Sequence, residues 1–139
     1  ENSLVAVAIA DIDHFKQVND VYGHVIGDEA IIVVAERIRD VVREFDLVGR
    51  MGGEEFIIAC SCSDEAGAAE IFERVRQAIS DSCLVCDGAE FNLTISVGVA
   101  TVAGGVKPSD AIRRADMALY QAKEKGRNCV VHFRPVLDI

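Results

Sequence analysis

The sequence predicts an α/β (α+β) fold in which a mixed central β-sheet is flanked by helices and interrupted by one β-hairpin. Three observations predict it. The run "LVAVAIADID" (4–13) is apolar from Leu4 to Ala10 and rich in β-branched residues, as suits a strand covered on both faces. Stretches with helical periodicity separate this strand from later strand-like runs, the pattern of a layered sheet-and-helix domain. "LVGRM" and "FIIAC" flank "GGEE" at 52–55, and two strand-like runs around a Gly-Gly pair make a hairpin.

In chain order, "HFKQVNDVYGHVIG" (14–27) reads as a short helix ending near Gly23, followed by a loop. "DEAIIVVAERIRDVVREF" (28–45) has apolar residues at 31, 34, 35, 38, 41, 42 and 45. That is the stripe of a long amphipathic helix, with Arg37, Arg39, Asp40, Arg43 and Glu44 on its wet side. The hairpin comes next. Residues 65–80 repeat the helical spacing through Ala68, Ile71, Phe72, Val75 and Ile79. "EFNLTISVGVATV" (90–102) reads as a strand. "KPSDAIRRADMALYQAKEKG" (107–126) is a helix with Pro108 at its start, Lys123 and Lys125 in its last turn and Gly126 at its stop. "NCVVHF" (128–133) closes as a strand. The predicted order is β-α-α-β-β-α-β-α-β, with "VAGGVK" (102–107) as the most flexible loop and the tail "RPVLDI" loosely held.

The 139 residues amount to one domain, and half of them are hydrophobic, enough for a substantial core. The expectation is a single domain over 1–139, cut from the C-terminal part of a longer chain, without a signal peptide. No apolar run approaches the roughly 18 residues of a membrane span. Fourteen basic against 23 acidic residues leave a net charge of −9, which disfavours polymeric nucleic acid as a partner. A local basic cluster or a cation still permits a small anionic ligand. The five cysteines, an odd count, point to a reducing, cytoplasmic compartment. "CSC" and "CLVC" lie in or beside apolar strand-like segments, so their thiols are read as small hydrophobes rather than zinc ligands.

Four carboxylates carry the chemistry. Asp11 and Asp13 end the first strand, facing the crevice where such sheets bind ligands. Glu54 and Glu55 sit at the hairpin tip. If the hairpin lies beside the first strand, Asp11 and Glu54 converge, and two carboxylates with a backbone carbonyl suit Mg²⁺. A dication there would explain the repelling glutamates by reversing the local charge. The ordinary alternatives are a helix N-cap for the aspartates and a solvated turn for "GGEE". Lys16, one helical turn past the aspartates, and the pair Lys123 and Arg127 offer donors to phosphate; taken alone, they read equally as helix-end charges.

"RMGGEEF" (50–56) closely resembles the signature of the GGDEF family, the diguanylate cyclases, with glutamate in the third place. "DIDHFKQVND" with "YGH" and "GD" (11–28) resembles the family's first block, and "REFD" (43–46) its RxxD inhibitory site. "ISVGVA" and "RADMALYQAKEKGRN" resemble its last strand–helix segment, so the likeness runs from residue 4 to about 131. It implies a palm-like mixed sheet of the nucleotide-cyclase kind, the hairpin carrying the GGEEF turn. It implies Asp11, the Ile12 carbonyl and Glu54 as ligands of two Mg²⁺ or Mn²⁺ ions. Asn19 and Asp28 would read the guanine edge, although Asp28 also stands where a helix N-cap belongs. Lys123, Arg127 and the backbone N–H groups of His14, Phe15 and Lys16 would hold the phosphates. Gly52 and Gly53 would let the hairpin approach the nucleotide. Glu55 would bind a second metal or help deprotonate the attacking hydroxyl.

The activity so implied is condensation of two GTP into cyclic di-GMP and two pyrophosphates, by a homodimer of facing domains. An N-terminal sensory or receiver domain in the parent chain would govern it. Arg43, Asp46 and Arg74 would form the product-inhibition site. Without the resemblance, Arg43 and Asp46 read as an i,i+3 surface ion pair. The family's usual short helix and DxLT-GLxNR-like segment ahead of the first strand do not occur in this sequence, and His14 stands where the family often has Phe. The competing reading is a weakly catalytic receptor domain for GTP or cyclic di-GMP.

Overall fold

The computed structural model describes residues 3–135, so the tail expectation for Val136 to Ile139 lies outside the described residues. Five strands form the main sheet in the order β2-β3-β1-β6-β7. They are β1 (Leu4–Ile12), β2 (Leu47–Gly52), β3 (Glu55–Cys62), β6 (Ile95–Ala103) and β7 (Val130–His132). Two three-residue strands, β4 (Leu84–Cys86) and β5 (Ala89–Phe91), make a separate small hairpin. The helices are α1 (Phe15–Tyr22), α2 (His24–Val41), α3 (Glu65–Ser80) and α4 (Pro108–Glu124). Neighbours in the main sheet run antiparallel except β6 and β7, which are parallel.

Strand β1 occupies the centre, as its unbroken apolar run requires. Ala6, Ala8 and Ala10 face one side and pack with Ile31, Val34 and Ile38 of α2 and Phe72, Val75 and Ile79 of α3. Val7 and Ile9 face the other side and pack with Ala100 and Val102 of β6 and Ala115 and Leu119 of α4. The result is three layers, with the carboxyl end of β1 opening at one rim.

Several local expectations are corrected. Residues 24–27 are not a loop: α2 begins at His24 and ends at Val41. Gly27 is buried, and a Cβ there would lie 1.9 Å from the Asn19 amide oxygen, so the glycine admits α1 against α2. Asp28 therefore stands inside α2, whose N-cap is Gly23, and caps nothing. Val42 turns extended (ψ 165), so Arg43 leaves the helix and lies in the turn before β2 rather than on the helix's wet face. The strand expected over 90–102 divides into β5 and β6. Glu55 is the first residue of β3 rather than a tip residue, leaving Gly53 and Glu54 as the turn.

Candidate active site

Backbone pairing brings the hairpin to the end of β1. Asp11 is paired with Glu55 on one side and with Ser96 on the other. The Ile12 N–H donates to the Glu54 carbonyl at 3.3 Å, tying the turn to the strand end. Gly53 has φ +52, a left-handed conformation that glycine adopts at little cost. The Arg50 guanidinium donates to the Gly53 carbonyl at 2.8 Å and braces the turn from below. Directly opposed strand residues have side chains about 5 Å apart on one face, so Asp11 and Glu55 crowd each other on the α4 side.

Lys123, in the last turn of α4, donates to Asp11 Oδ2 at 2.5 Å. Burial raises the Glu55 carboxyl above its ordinary range, and the neighbouring Asp11, Asp116 and Glu54 add to that rise while Lys123 opposes it. Lys123, Lys16 and Arg127 thus stand against the carboxylates of Asp11, Asp13 and Glu54 at this rim, with Glu55 paired to Asp11 beside them.

A cleft of about 170 Å³ opens here. Asp11, Glu54, Lys123 and Arg127 surround it, together with the segment from Ile12 to Lys16. The first N–H groups of α1 have no intrahelical partner and face an anion-favouring end of the helix. Phe15 contributes only backbone, because its side chain is in the core. Lys16 and Arg127 are exposed at the mouth.

Asp13 is not a helix cap. The α1 N-cap is His14, in a left-handed conformation (φ 56) with no side-chain cap bond. Asp13, 5 % exposed, instead accepts from Ser96 Oγ at 2.6 Å, Thr94 Oγ1 at 2.7 Å and the Asn128 N–H at 3.0 Å. It links β1, the start of β6 and the turn after α4. That turn holds Arg127 and Asn128, both left-handed (φ 68 and 50). Backbone strain in non-glycine residues costs about 1–3 kcal/mol each and persists only where the surroundings impose it. Two such residues, His14 and Arg127, line this cleft, and a third, Asn128, follows Arg127 and donates its N–H to Asp13 in the cleft wall. The partners of Asp13 lie 81, 83 and 115 residues away, so no local sequence signal announces it.

Asn19 and Asp28 form a second cluster. Asn19 packs on Gly27 and so stands beside the exposed Asp28, at the α1–α2 junction rather than in the carboxylate cleft. Arg43 and Asp46 form a third. The Arg43 guanidinium meets Asp46 in a forked pair, Nε at 3.1 Å and Nη2 at 3.2 Å, and the same Nη2 also donates to the Ser61 carbonyl at 2.5 Å. The Asp46 side chain is 1 % exposed and that of Arg43 43 %, so a buried acid anchors an accessible base. The Arg43 guanidinium also stacks 4.9 Å over Phe45. Arg74 stands on the exposed side of α3 and makes no hydrogen bond to either, among the described residues.

The donor set fits hard dications: carboxylate oxygens of Asp11 and Glu54 with the Ile12 carbonyl beside them, next to a Glu55 carboxyl that burial first, and Asp11 second, raises. Among the described residues, no three His, Cys, Asp or Glu side chains already form a metal cage. Such a partial shell suits Mg²⁺, which keeps positions for phosphate oxygens and water. All five cysteines are free, with no zinc-like group among the described residues.

Residues 1–129 match the family model described as "Diguanylate cyclase, GGDEF domain". The response regulator PleD of Caulobacter vibrioides is 45% identical over 130 residues, 91% of this chain and 29% of that protein. Diguanylate cyclase A of Treponema denticola is 38% identical over 127 residues, 91% of this chain and 34% of that protein. The chain thus spans about a third of the length of these curated relatives. Among solved structures, the GGDEF domain of YfiN (TpbB) from Pseudomonas aeruginosa superposes with a TM-score of 0.91 at 31% identity, covering 96% of this chain and 84% of that one. No helix of the described residues is long and apolar enough to cross a membrane.

Proposed function

Because the chain belongs to the GGDEF family, we propose that it is a diguanylate cyclase domain, the C-terminal catalytic part of a longer signalling protein, that condenses two GTP into cyclic di-GMP. One observation carries this reading: Asp11, Glu54, Lys123 and Arg127 converge on one cleft at the N-terminus of α1. A cleft of about 170 Å³ accommodates the phosphates of a single nucleotide, so two domains must face each other, each presenting one GTP. That arrangement has two-fold symmetry and makes a homodimer the working form. GTP as substrate places the domain in the cytoplasm, in keeping with its five free cysteines.

The terminal phosphates lie against the N–H groups of His14 to Lys16, between Lys123 and Arg127. Lys123 exchanges Asp11 for phosphate as the nucleotide enters. Asn19 and Asp28 accept and donate at the guanine edge, where the Asp28 carboxylate suits the paired N–H donors of guanine and finds no such pair on adenine. Gly52 and Gly53 keep the turn free of side chains beside the nucleotide. Asp11, the Ile12 carbonyl and Glu54 would hold two Mg²⁺ or Mn²⁺ ions, which supply charge neutralisation at the phosphates and acidify the attacking hydroxyl.

The 3′-hydroxyl oxygen of one GTP bonds to the α-phosphorus of the other, and the α-phosphorus bond to the bridging oxygen breaks. Pyrophosphate leaves with that electron pair, and Glu55, whose raised pKa suits a proton acceptor, takes the hydroxyl proton. The same exchange in the opposite sense closes the ring. Arg43, Asp46 and Arg74 bind the product as an inhibitor, the exposed guanidinium groups gripping its guanine and phosphate edges. In support, the solved GGDEF domain of DgcB from Caulobacter crescentus, 34% identical over 94% of this chain and 78% of that one (TM-score 0.86), is in complex with c-di-GMP.

Incubation of the chain at high concentration with GTP and Mg²⁺, with products resolved by chromatography and mass, tests this reading. Cyclic di-GMP is expected from the natural sequence and none from Glu54→Ala, whose fold should survive because the residue sits in a turn. Retained turnover in Glu54→Ala would refute its role as metal ligand. Tight cyclic di-GMP binding by a folded dimer that makes no product would favour the receptor reading, in which Arg43, Asp46 and Arg74 hold the ligand.

A further inference from the structure

Glu54 is carried on a permissive backbone. Gly52 and Gly53 precede it, at φ +149 and +52, and glycine has more conformational freedom to lose on folding than any other residue. The hairpin ladder beneath is irregular as well. Arg50 pairs with Phe56 and Gly52 with Glu55, which leaves Met51 as the extra residue of a β-bulge. A bulge bends its strand and re-aims the side chains beside it. Glu54 is nevertheless half-buried and lines the cleft with Asp11.

Two hydrogen bonds beyond the strand ladder hold it there. The peptide before Glu54 presents the Gly53 carbonyl, which accepts from Arg50 Nε at 2.8 Å. The peptide after it presents the Glu54 carbonyl, which accepts from the Ile12 N–H at 3.3 Å. Each peptide is planar, so fixing the planes on both sides of a residue fixes its φ and ψ. The Ile12 bond comes with the backbone and the sheet register. The Arg50 bond depends on one side chain. Arg50 is exposed and forms no ion pair among the described residues, although Glu54 and Glu55 are close to it in the chain. Its Nε–H goes to an uncharged carbonyl instead. Ordering so long a side chain costs rotamer entropy, and neither burial nor an ion pair offsets that cost here.

We propose that Arg50 is a positioning residue: through the Gly53 carbonyl it aims the Glu54 carboxylate at the place beside Asp11 where a hard cation would bind. The purpose of that aim rests on the cyclase reading; the bracing of the turn does not. The donor acts here, not the charge. Arginine Nε follows Cδ, and so does the amide nitrogen of glutamine, which offers an N–H from the same place without a charge. Methionine fills the same length of side chain with no donor. The two replacements therefore differ at the one atom that matters.

The test compares Arg50→Gln and Arg50→Met with the natural sequence, by ¹⁵N relaxation of the full chain and by turnover of GTP with Mg²⁺. Both variants should melt like the natural chain, because the residue is exposed. In the natural chain and in Arg50→Gln, the Gly53 and Glu54 amides should have the order parameters of a rigid backbone, about 0.85; in Arg50→Met they should fall towards about 0.6. The kcat of Arg50→Met should drop about tenfold, the loss of one hydrogen bond, with KM for GTP within about twofold of the natural value. Arg50→Gln should recover most of that loss. Equal losses in the two variants would assign the effect to charge and overturn the proposal. A turn that stays rigid in Arg50→Met, or a change confined to KM, would overturn it too. If the natural chain makes no product while relaxation still separates the two variants, the cyclase reading fails and the bracing of the turn by Arg50 stands.

Discussion

Replacing Asp13 by alanine strands three donors at once. The Ser96 hydroxyl, wholly buried, loses its 2.6 Å acceptor, Thr94 loses one at 2.7 Å, and the Asn128 N–H loses one at 3.0 Å. A buried donor left unsatisfied costs about 1–3 kcal/mol, and part of the sum returns because a buried charge is no longer desolvated. A net loss of about 3–5 kcal/mol follows, a large share of the roughly 5–15 kcal/mol that holds a domain together. Urea unfolding followed by circular dichroism reads it as a lower midpoint at unchanged slope. Asp13→Asn tests the role rather than the fold. Its amide oxygen keeps one acceptor and the two hydroxyls can turn, so stability should fall by about 1–2 kcal/mol. The Asn128 bond is then weakened, the left-handed turn relaxes, and Arg127 loses its aim. GTP affinity should drop several-fold although Asp13 touches no substrate. A loss below 1 kcal/mol in Asp13→Ala, or unchanged GTP affinity in Asp13→Asn alongside a folded Asp13→Ala, would refute this reasoning.

Further predictions concern single groups. Arg43→Ala should relieve inhibition by added cyclic di-GMP without removing GTP binding, since the Arg43 turn lies apart from the residues lining the cleft; an unchanged inhibition curve would count against the RxxD assignment. Burial holds the His132 imidazole below its ordinary value of 6.5, with Glu65 opposing and Arg134 assisting. Between that lowered value and 6.5 the unfolded chain binds more protons than the folded one, so stability is present above this window and declines as pH falls through it. Thermal melts across that window should show the decline in the natural sequence and a shallower one in His132→Gln. Mild alkylation at pH 8 should label the exposed Cys83 first and spare Cys60, whose thiol burial pushes up to about 11; mass spectrometry of the peptides decides, and equal labelling would mean that β3 is not buried as described.

What the sequence disclosed of the fold depended on how local each cause was. α3 was legible to its ends because a regular apolar stripe follows Asp64, whose side chain accepts the Gly67 N–H at 2.8 Å. β1 and the hairpin were legible because an unbroken apolar run and a Gly-Gly pair each have few structural solutions. The start of α2 was not. Gly27 and Asp28 imitate a loop and a cap, whereas Gly27 is there to admit Asn19 from α1, a contact between helices that no helical pattern records. The β4–β5 hairpin was overlooked because its strands are three residues each, although its turn, Asp87 and Gly88 with φ 48 and 86, is a known hairpin pair.

The site divides along the same line. The carboxylates at the end of β1 and at the hairpin turn could be named from pattern, and the register that joins Asp11 to Glu55 makes them one group. The device that gives the cleft its shape could not, because Asp13 acts through partners brought together only by the sheet and α4. Local rules fail together here: like charges are opposed, and three non-glycine residues take left-handed backbones. Each alone lowers stability, and Asp13 with the sheet register holds them in place. Concentrated local failure beside a well-satisfied buried acid is what a functional rim requires and a purely structural one avoids. On the proposed reading, the repelling glutamates of "GGEE" are one half of a balance whose other half would be a cation and a nucleotide. In the free domain Lys123 partly fills that role, and the site remains ready to exchange it.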